Sequence, residues 1–510
     1  MNTLHSLFNE SAARSPDQIA LIFGEYKIAY GLLQESVRRL AAGLRGLGIE
    51  KGDRIAVMLP NVPHYYISAY AAFELGAVLV PINIMNEEAE ITHVLADSGA
   101  RILIAWSGFK SQIAAAFERS TACEHLLLLG DRIPKNSIAL TRLIANSRPI
   151  EELPAVEGTD LGTINYTSGI ADTALGAELT HEAQIANANT CREMFRITPE
   201  ERIIAVMPLF HPLGQTLSLN LPMIVGASVV LVPRFDSAEI TGLLHEHSVT
   251  FMAAVPKMFK SLLEAEQTRA SDSPSSLKYC LCYGGSVAEK IRSAFEEKFN
   301  TVVLETFGLT EAGPLVTSQR IDRDRKAGSA GLPLLGTEVM IRDESGSQLL
   351  PNQSGQVWIK SPSLMSGYYN RPEETARRLK DGWLFTGDMG YLDEDHYLYI
   401  QEREEDIFIK GGFQIYPSEI ENVLRQHEAV AEAAVVGVPD ATHGSEVKAF
   451  VIAEPEQEIK VEQLQQFCSN ALPVYKSPKY IEIVRDLPRS PTGRVLKRVL
   501  RNTPGKTGAV

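Results

Sequence analysis

Positive charge is scarce in this chain. Its 49 Lys and Arg are outnumbered by 63 Asp and Glu, a formal net charge of -14 over 510 residues. That balance argues against broad, nonspecific nucleic-acid binding, which needs a basic face. Basic residues cluster most obviously in the tail from Arg485 to Arg501. Cysteine is scarce too: five residues, at positions 123, 191, 280, 282 and 468, scattered and odd in number. No disulfide framework is expected from them, and Cys280-Leu-Cys282 lies in an apolar run whose spacing suits a strand rather than a zinc site. Reduced structural thiols fit a cytoplasmic setting.

Long apolar runs are also missing. The longest, such as Leu219 to Pro233, are broken by Pro and Gly, so no transmembrane segment is expected. Met1 to Ala20 has no basic start followed by an apolar core, so no signal peptide is expected. What remains is ordinary globular composition, with 45% hydrophobic and 22% charged residues. The length exceeds what one core holds, so about two to four domains or subdomains are expected.

Apolar periodicity alternates along the first two thirds of the chain. Gly31 to Gly48, His64 to Gly76 and Glu87 to Ser98 read as helices. Between and after them, Asp53 to Leu59, Ala77 to Val80 and Arg101 to Ile104 read as strands. Strand candidates recur at Arg202 to Pro208, Ala227 to Pro233, Phe251 to Ala254 and Val302 to Glu305. This alternation predicts an α/β fold with parallel sheets covered by helices. From about Ala327 the pattern changes to short strands, at Gly336 to Arg342, Gly355 to Lys360 and His396 to Ile400. The charged run Gln401 to Asp406 reads as a solvated loop. Beyond it, helix candidates at 417–426 and 460–472 and strand candidates at 433–438 and 447–451 suggest a small α+β domain. The expected division is 1–402, with a β-rich part at about 327–402, and 403–510.

Several segments combine glycine, hydroxyl and carboxylate as a nucleotide site requires. Tyr166 to His181 reads as a phosphate-binding loop, keeping Thr167, Ser168, Gly169 and Gly176 for close backbone approach and hydrogen bonding. Tyr283-Gly-Gly-Ser286 follows an apolar strand, where backbone amides could face a flat ligand or phosphate. Thr306-Phe-Gly-Leu-Thr-Glu311 places an aromatic ring, a glycine, a hydroxyl and a carboxylate within six positions. Thr386-Gly-Asp388 puts a carboxylate in a tight turn, able to accept both hydroxyls of a ribose.

In this order and at these spacings, the segments closely resemble the adenylate-forming superfamily of acyl-CoA synthetases, peptide-synthetase adenylation domains and luciferases. The resemblance runs from Ala29-Tyr-Gly-Leu-Leu33 to Pro491-Thr-Gly-Arg-Val-Leu-Lys-Arg498. It is most specific at Met207 to Gly214, Phe307 to Glu311, Trp383 to Tyr391 and Lys410 to Glu421. It implies stacked α/β subdomains plus a distorted β-barrel, followed by a small mobile C-terminal domain. It also implies two half-reactions, in which a carboxylate attacks the α-phosphate of ATP and a thiol such as coenzyme A then displaces AMP. Family members occur as monomers and as homodimers.

Roles follow from the resemblance position by position. Phe307, where the family usually has tyrosine, would pack on adenine, with Gly285, Ser286, Thr306 and Gly308 around the nucleotide. Thr310 would contact the α-phosphate and Glu311 would ligate Mg²⁺. Asp388 would grip the ribose, assisted by Arg403, and Glu405 falls at the hinge. Lys410, Gly411 and Gly412 would approach the thiol tunnel after rotation. His211 would line the acyl pocket and gate the thiol. That pocket would draw on Phe210 to Thr216, Met252 to Pro256 and Tyr283 to Gly285, mainly apolar segments that suit a fatty or aromatic acid.

Two departures touch the chemistry. Where the family's phosphate loop has Thr, Thr, Gly, Pro and Lys, this chain has Ile170, Ala171, Asp172, Ala174 and Leu175. A missing charge at contact range costs about 4 kcal/mol at an effective dielectric near 20, less with solvent access. Adenylation is therefore expected to slow by about two to three orders of magnitude. Arg494 stands where the family has its adenylation lysine, and Lys497 is the alternative cation. The expected activity is that of an ATP-dependent acyl-CoA synthetase. The alternatives are an adenylating enzyme that loads an acyl carrier protein, and an impaired nucleotide- or acyl-CoA-binding relative.

Overall fold

The computed structural model describes residues 2–131, 133–167, 174–268, 275–440, 443–455, 457, 459–490 and 495–501. The chain divides into two compact units, Met1–Val339 with Ile359–Leu384, and Met340–Trp358 with Phe385–Val510.

The first unit carries two large sheets. In the eight-stranded sheet, Leu161–Tyr166, Val78–Pro81, Arg54–Met58, Ile102–Trp106 and His125–Leu129 are parallel neighbours. In the nine-stranded sheet the parallel run is Val302–Gly308, Tyr279–Tyr283, Phe251–Ala254, Arg202–Ala205, Ser228–Leu231 and Ile19–Phe23. Alternate residues of one strand enter different cores. Ile203 and Ala205 join one core, Ile204 the other. Ile55 and Val57 likewise face away from Ala56 and Met58. Strands covered on both faces read as continuous apolar runs, which is why Arg202–Ala205 and Arg54–Met58 are legible as buried strands.

The shared core contains residues of both sheets together with helices Leu4–Arg14, Tyr30–Gly46 and Pro63–Glu74. Pro63–Glu74 is buried on every face. That position explains its nearly unbroken apolar and aromatic sequence. Its proline stands at the first turn, where a missing N–H costs nothing. The segment Pro212–Val225 is irregular, with a π-helical stretch over Gln215–Asn220. Pro222, just beyond that stretch, contributes no N–H, and the Tyr66 hydroxyl donates to the Ser218 carbonyl within it.

In the second unit, the strands Val430–Asp440 and Gly444–Ala453 form a hairpin, and Tyr480–Ile483 adds in parallel. Helices Pro417–Leu424 and Val461–Ala471 cover one face, and Leu487 and Leu500 pack on the other. Two expectations fail here. Asp388 does not sit in a turn: it lies within the strand Trp383–Leu392, its Cα registered opposite Arg403 of Leu398–Arg403. Gly387, at φ +79°, supplies the local distortion that resembles a turn signal in the sequence. The run Gln401 to Asp406 is not a solvated loop either. Glu402 and Asp406 are buried, because Lys497 and Arg501 pair with them at 3.2 and 2.6 Å. Composition cannot see partners that arrive about a hundred residues later.

Candidate active site

The parallel strands of the nine-stranded sheet all end on one edge, and the expected site segments leave from that edge. Loops at the carboxyl ends of parallel strands are where α/β sheets bind ligands. Val302–Gly308 leads into Thr310 and Glu311, Tyr279–Tyr283 into Gly284–Ser286, and Phe251–Ala254 into Pro256. Their order is fixed by register, with Tyr283 opposite Thr306 and Ala254 opposite Cys282.

The loop after Tyr283 is tied to its neighbours. The Tyr283 hydroxyl donates to the Gly308 carbonyl at 3.0 Å, and the Thr306 hydroxyl to the Cys282 carbonyl at 2.9 Å. Thr306 is therefore a buried fastener beneath the loop. Gly284 has φ +82°, and Gly285 and Ser286 are exposed beyond it. Gly308 is required by packing, since a Cβ there would lie 1.7 Å from the Pro314 carbonyl oxygen. Phe307 and Thr310 are half-buried. An aromatic face and a hydroxyl are thus held close to the tethered Gly284–Ser286 loop.

Glu311 is half-buried in a single turn over Thr310–Ala312, and it has a partner that the sequence motif does not reveal. The Tyr368 hydroxyl donates to its Oε1 at 2.7 Å. Burial and the neighbouring Glu311 charge keep that phenol protonated. Tyr368 arrives through the short strand Gly367–Tyr368, paired with Gly176–Thr180. The two stand 57 positions apart in sequence, so no local pattern could have linked them.

Thr167 and Gly176 stand at the two ends of the phosphate-loop segment. Thr167 N donates to the Leu175 carbonyl at 2.9 Å, and Leu175 N donates to the Thr167 hydroxyl at 3.1 Å. The hydroxyl accepts there and keeps its own proton to donate. Gly176 is a packing glycine, because a Cβ would meet Ile164 Cγ2 at 2.6 Å. Around this neck, Tyr166 donates to Asp97 at 2.7 Å, Arg371 pairs with Asp97 at 2.5 Å, and His93 bonds the Ala174 carbonyl at 3.1 Å. Ser168, Gly169, Ile170, Ala171 and Asp172 lie outside the described residues, as does Arg494.

His211 joins this edge from another direction. Its Nδ1 accepts from Leu213 N at 3.2 Å, capping the short turn at Pro212, and its ring stands edge-on to Tyr283 at 5.9 Å. Desolvation lowers its pKa to about 4, so the imidazole is neutral at physiological pH. Gly285 faces Pro256, whose Cγ would lie 3.4 Å from an added Cβ. The three segments expected to line an acyl pocket are therefore neighbours.

The remaining expected residues belong to the second unit. Asp388 is buried, its Oδ1 2.7 Å from Arg403 Nε, and its N–H donates to the Thr386 hydroxyl. Lys410 is buried and paired with Glu446; desolvation raises that carboxyl, but the bonds from Lys410 and Val447 N and the charges of Lys410 and Lys479 together hold it below its usual range. Gly411 and Gly412 form the exposed tip of the hairpin Phe408–Lys410/Phe413–Ile415, at φ +57° and +88°. Glu405 is exposed in a single turn over Glu404–Asp406, its carbonyl accepting from Arg501. Lys497, the alternative cation, lies 3.2 Å from Glu402 and 2.9 Å from Glu421 within the second unit.

Comparison with known proteins matches this arrangement. The model of the AMP-binding enzyme family covers residues 8–369, and that of the AMP-binding enzyme C-terminal domain covers 419–494. The long-chain-fatty-acid–CoA ligase of Bacillus subtilis (strain 168) is 34% identical over 527 residues, covering 98% of this chain and 94% of that one. A feruloyl-CoA synthase of Amycolatopsis sp is 33% identical over 495 residues, with 97% of each chain covered. Among solved structures, ATP-bound MatB from Rhodopseudomonas palustris superposes with a TM-score of 0.88 at 28% identity, over 98% of this chain and 99% of that one. The chain belongs to the AMP-binding enzymes, the adenylate-forming acyl-CoA synthetase family.

Proposed function

We propose that the protein is an ATP-dependent acyl-CoA synthetase acting on a fatty or aromatic carboxylic acid. The observation that carries this is the clustering of Phe307, Thr310 and the Tyr368-anchored Glu311 beside the tethered Gly284–Ser286 loop. In the first half-reaction the acid's carboxylate oxygen bonds to the α-phosphorus of ATP, and the bond to the bridging oxygen breaks to release pyrophosphate. In the second, a thiolate sulfur bonds to the acyl carbon and AMP leaves. Positioning and charge neutralisation dominate such chemistry.

Phe307 stacks on the base and Ser286 borders it. Thr310 donates to the α-phosphate. Magnesium fits the donor set, since Glu311 presents a hard carboxylate held in one orientation by Tyr368. When bound, it supplies neutralisation of polyphosphate charge. Asp388, held by Arg403, offers a carboxylate to vicinal hydroxyls. Neutral His211 and Tyr283 border the acyl group at its reacting end. The five cysteines are free and buried, which suits a reducing, cytoplasmic setting.

A second reading, a relative that binds nucleotide without turning over, is favoured by Leu175 in place of a lysine. Carboxylate-dependent ATP–pyrophosphate exchange separates the two. Exchange supports the synthetase, and none with any acid in a chain that binds AMP supports the binder.

A further inference from the structure

The tethers through Tyr283 and Thr306 fix the base of the loop after Tyr283, leaving its outer half, Ser286 and Val287, to be held by something else. That something is Glu305. Its carboxylate Oε1 accepts from Val287 N at 3.0 Å, and the neighbouring Ser286 hydroxyl favours its charged form against the desolvation that raises its pKa. The residue is only 6% exposed, an unusual place for an acid that the reaction itself does not use.

Glu305 is itself clamped. Its N–H donates to Gln319 Oε1 at 3.2 Å, and its carbonyl accepts from Gln319 N at 2.9 Å. The Gln319 amide group in turn donates to the carbonyls of Lys326 and Ser329 at 3.2 Å each. Gly331 seals the clamp, since a Cβ there would lie 1.9 Å from the Ser318 carbonyl carbon. The backbone under Glu305 therefore cannot drift, and its side chain transmits that rigidity to the loop. Phe307, two residues on along the same strand, is thereby tied to the loop through the bond from Val287 N to the Glu305 carboxylate.

We infer that Glu305 is a positioning residue for the nucleotide, holding the Ser286–Val287 half of the loop at a set distance from Phe307. This rests on the reading of the site as a nucleotide site. A carboxylate suits the task because one oxygen accepts from Val287 N while the other stays an acceptor toward the neighbouring Ser286 hydroxyl. Glutamine preserves the reach and one acceptor, and its NH₂ can donate to the Ser286 hydroxyl. Aspartate keeps the charge but is one methylene short.

The test is calorimetric titration of AMP into the full chain and its variants Glu305→Ala, Glu305→Asp and Glu305→Gln. Exchange protection of peptides spanning 283–290 is read alongside, with no ligand present. Glu305→Ala and Glu305→Asp are expected to weaken AMP binding by about tenfold or more and to lower that protection. Glu305→Gln is expected to stay within about threefold of the wild type on the same scale. In turnover, KM for ATP rises while kcat at saturating ATP is kept. AMP affinity and protection unchanged in the Ala and Asp variants would overturn the inference alone. So would a Gln variant as weak as Ala. A wild-type chain that binds no AMP would overturn the functional reading, and the inference with it.

Discussion

Glu74 offers a quantitative test of how the first unit is built. It ends the buried helix Pro63–Glu74 with 0% of its surface exposed, accepts from Asn9 at 3.1 Å, and lies 3.8 Å from Arg38. Desolvation outweighs both partners and raises its pKa from 4.5 to about 7. The sign follows from linkage. A folded-state pKa above the unfolded value means that stability present below pH 4.5 is lost as pH rises through 7. With these two values, the loss between pH 5.5 and pH 8 is about 2 kcal/mol. Glu74→Gln cannot ionise and keeps an oxygen for Asn9, so it escapes that loss. Denaturant titration followed by hydrogen exchange in peptides covering 4–14 and 63–74 isolates this unit from the rest of the chain. The stability difference between variant and wild type should grow by about 2 kcal/mol from pH 5.5 to pH 8. A difference that stays constant with pH would refute the account of a desolvated carboxyl.

Four further outcomes are expected. Leu175→Lys restores a cation beside Thr167 and should lower KM for ATP by about tenfold or more, measured in steady-state turnover. His211→Ala should slow thioester formation while leaving pyrophosphate exchange largely intact. In the wild type the His211 pKa is lowered to about 4, so charging it should contribute nothing to the rate between pH 6 and pH 8, read from a pH–rate profile. Lys497→Met strips the buried carboxylates Glu402 and Glu421 of their shared cation and should destabilise the second unit by about 3 kcal/mol, read from exchange protection of 417–424.

The fold was largely legible because its strands are covered on both faces. Arg54–Met58 and Phe251–Ala254 appear as apolar runs with clear ends, and a helix such as Tyr30–Gly46 carries its periodicity openly. The candidate site was legible where its residues lie within one short segment, as in Phe307 to Glu311. It was not legible where two distant residues share a hydrogen bond. Tyr368 on Glu311 and Lys497 on Glu402 and Glu421 are examples: each partner alone looks like an ordinary surface group. Glu305 escaped for a different reason. It sits in a strand candidate where an apolar residue would be expected, and only the folded loop across from it shows what its charge is for. Asp388 was placed in a turn because Gly387 mimics one, whereas the paired strand absorbs the distortion.

The most direct measurement of the central claim is carboxylate-dependent ATP–pyrophosphate exchange with Mg²⁺, across fatty acids of several lengths and a few aryl acids. The account predicts exchange with one group of acids and formation of that acid's thioester once coenzyme A is added. No exchange with any acid, from folded protein that still binds AMP, would contradict it.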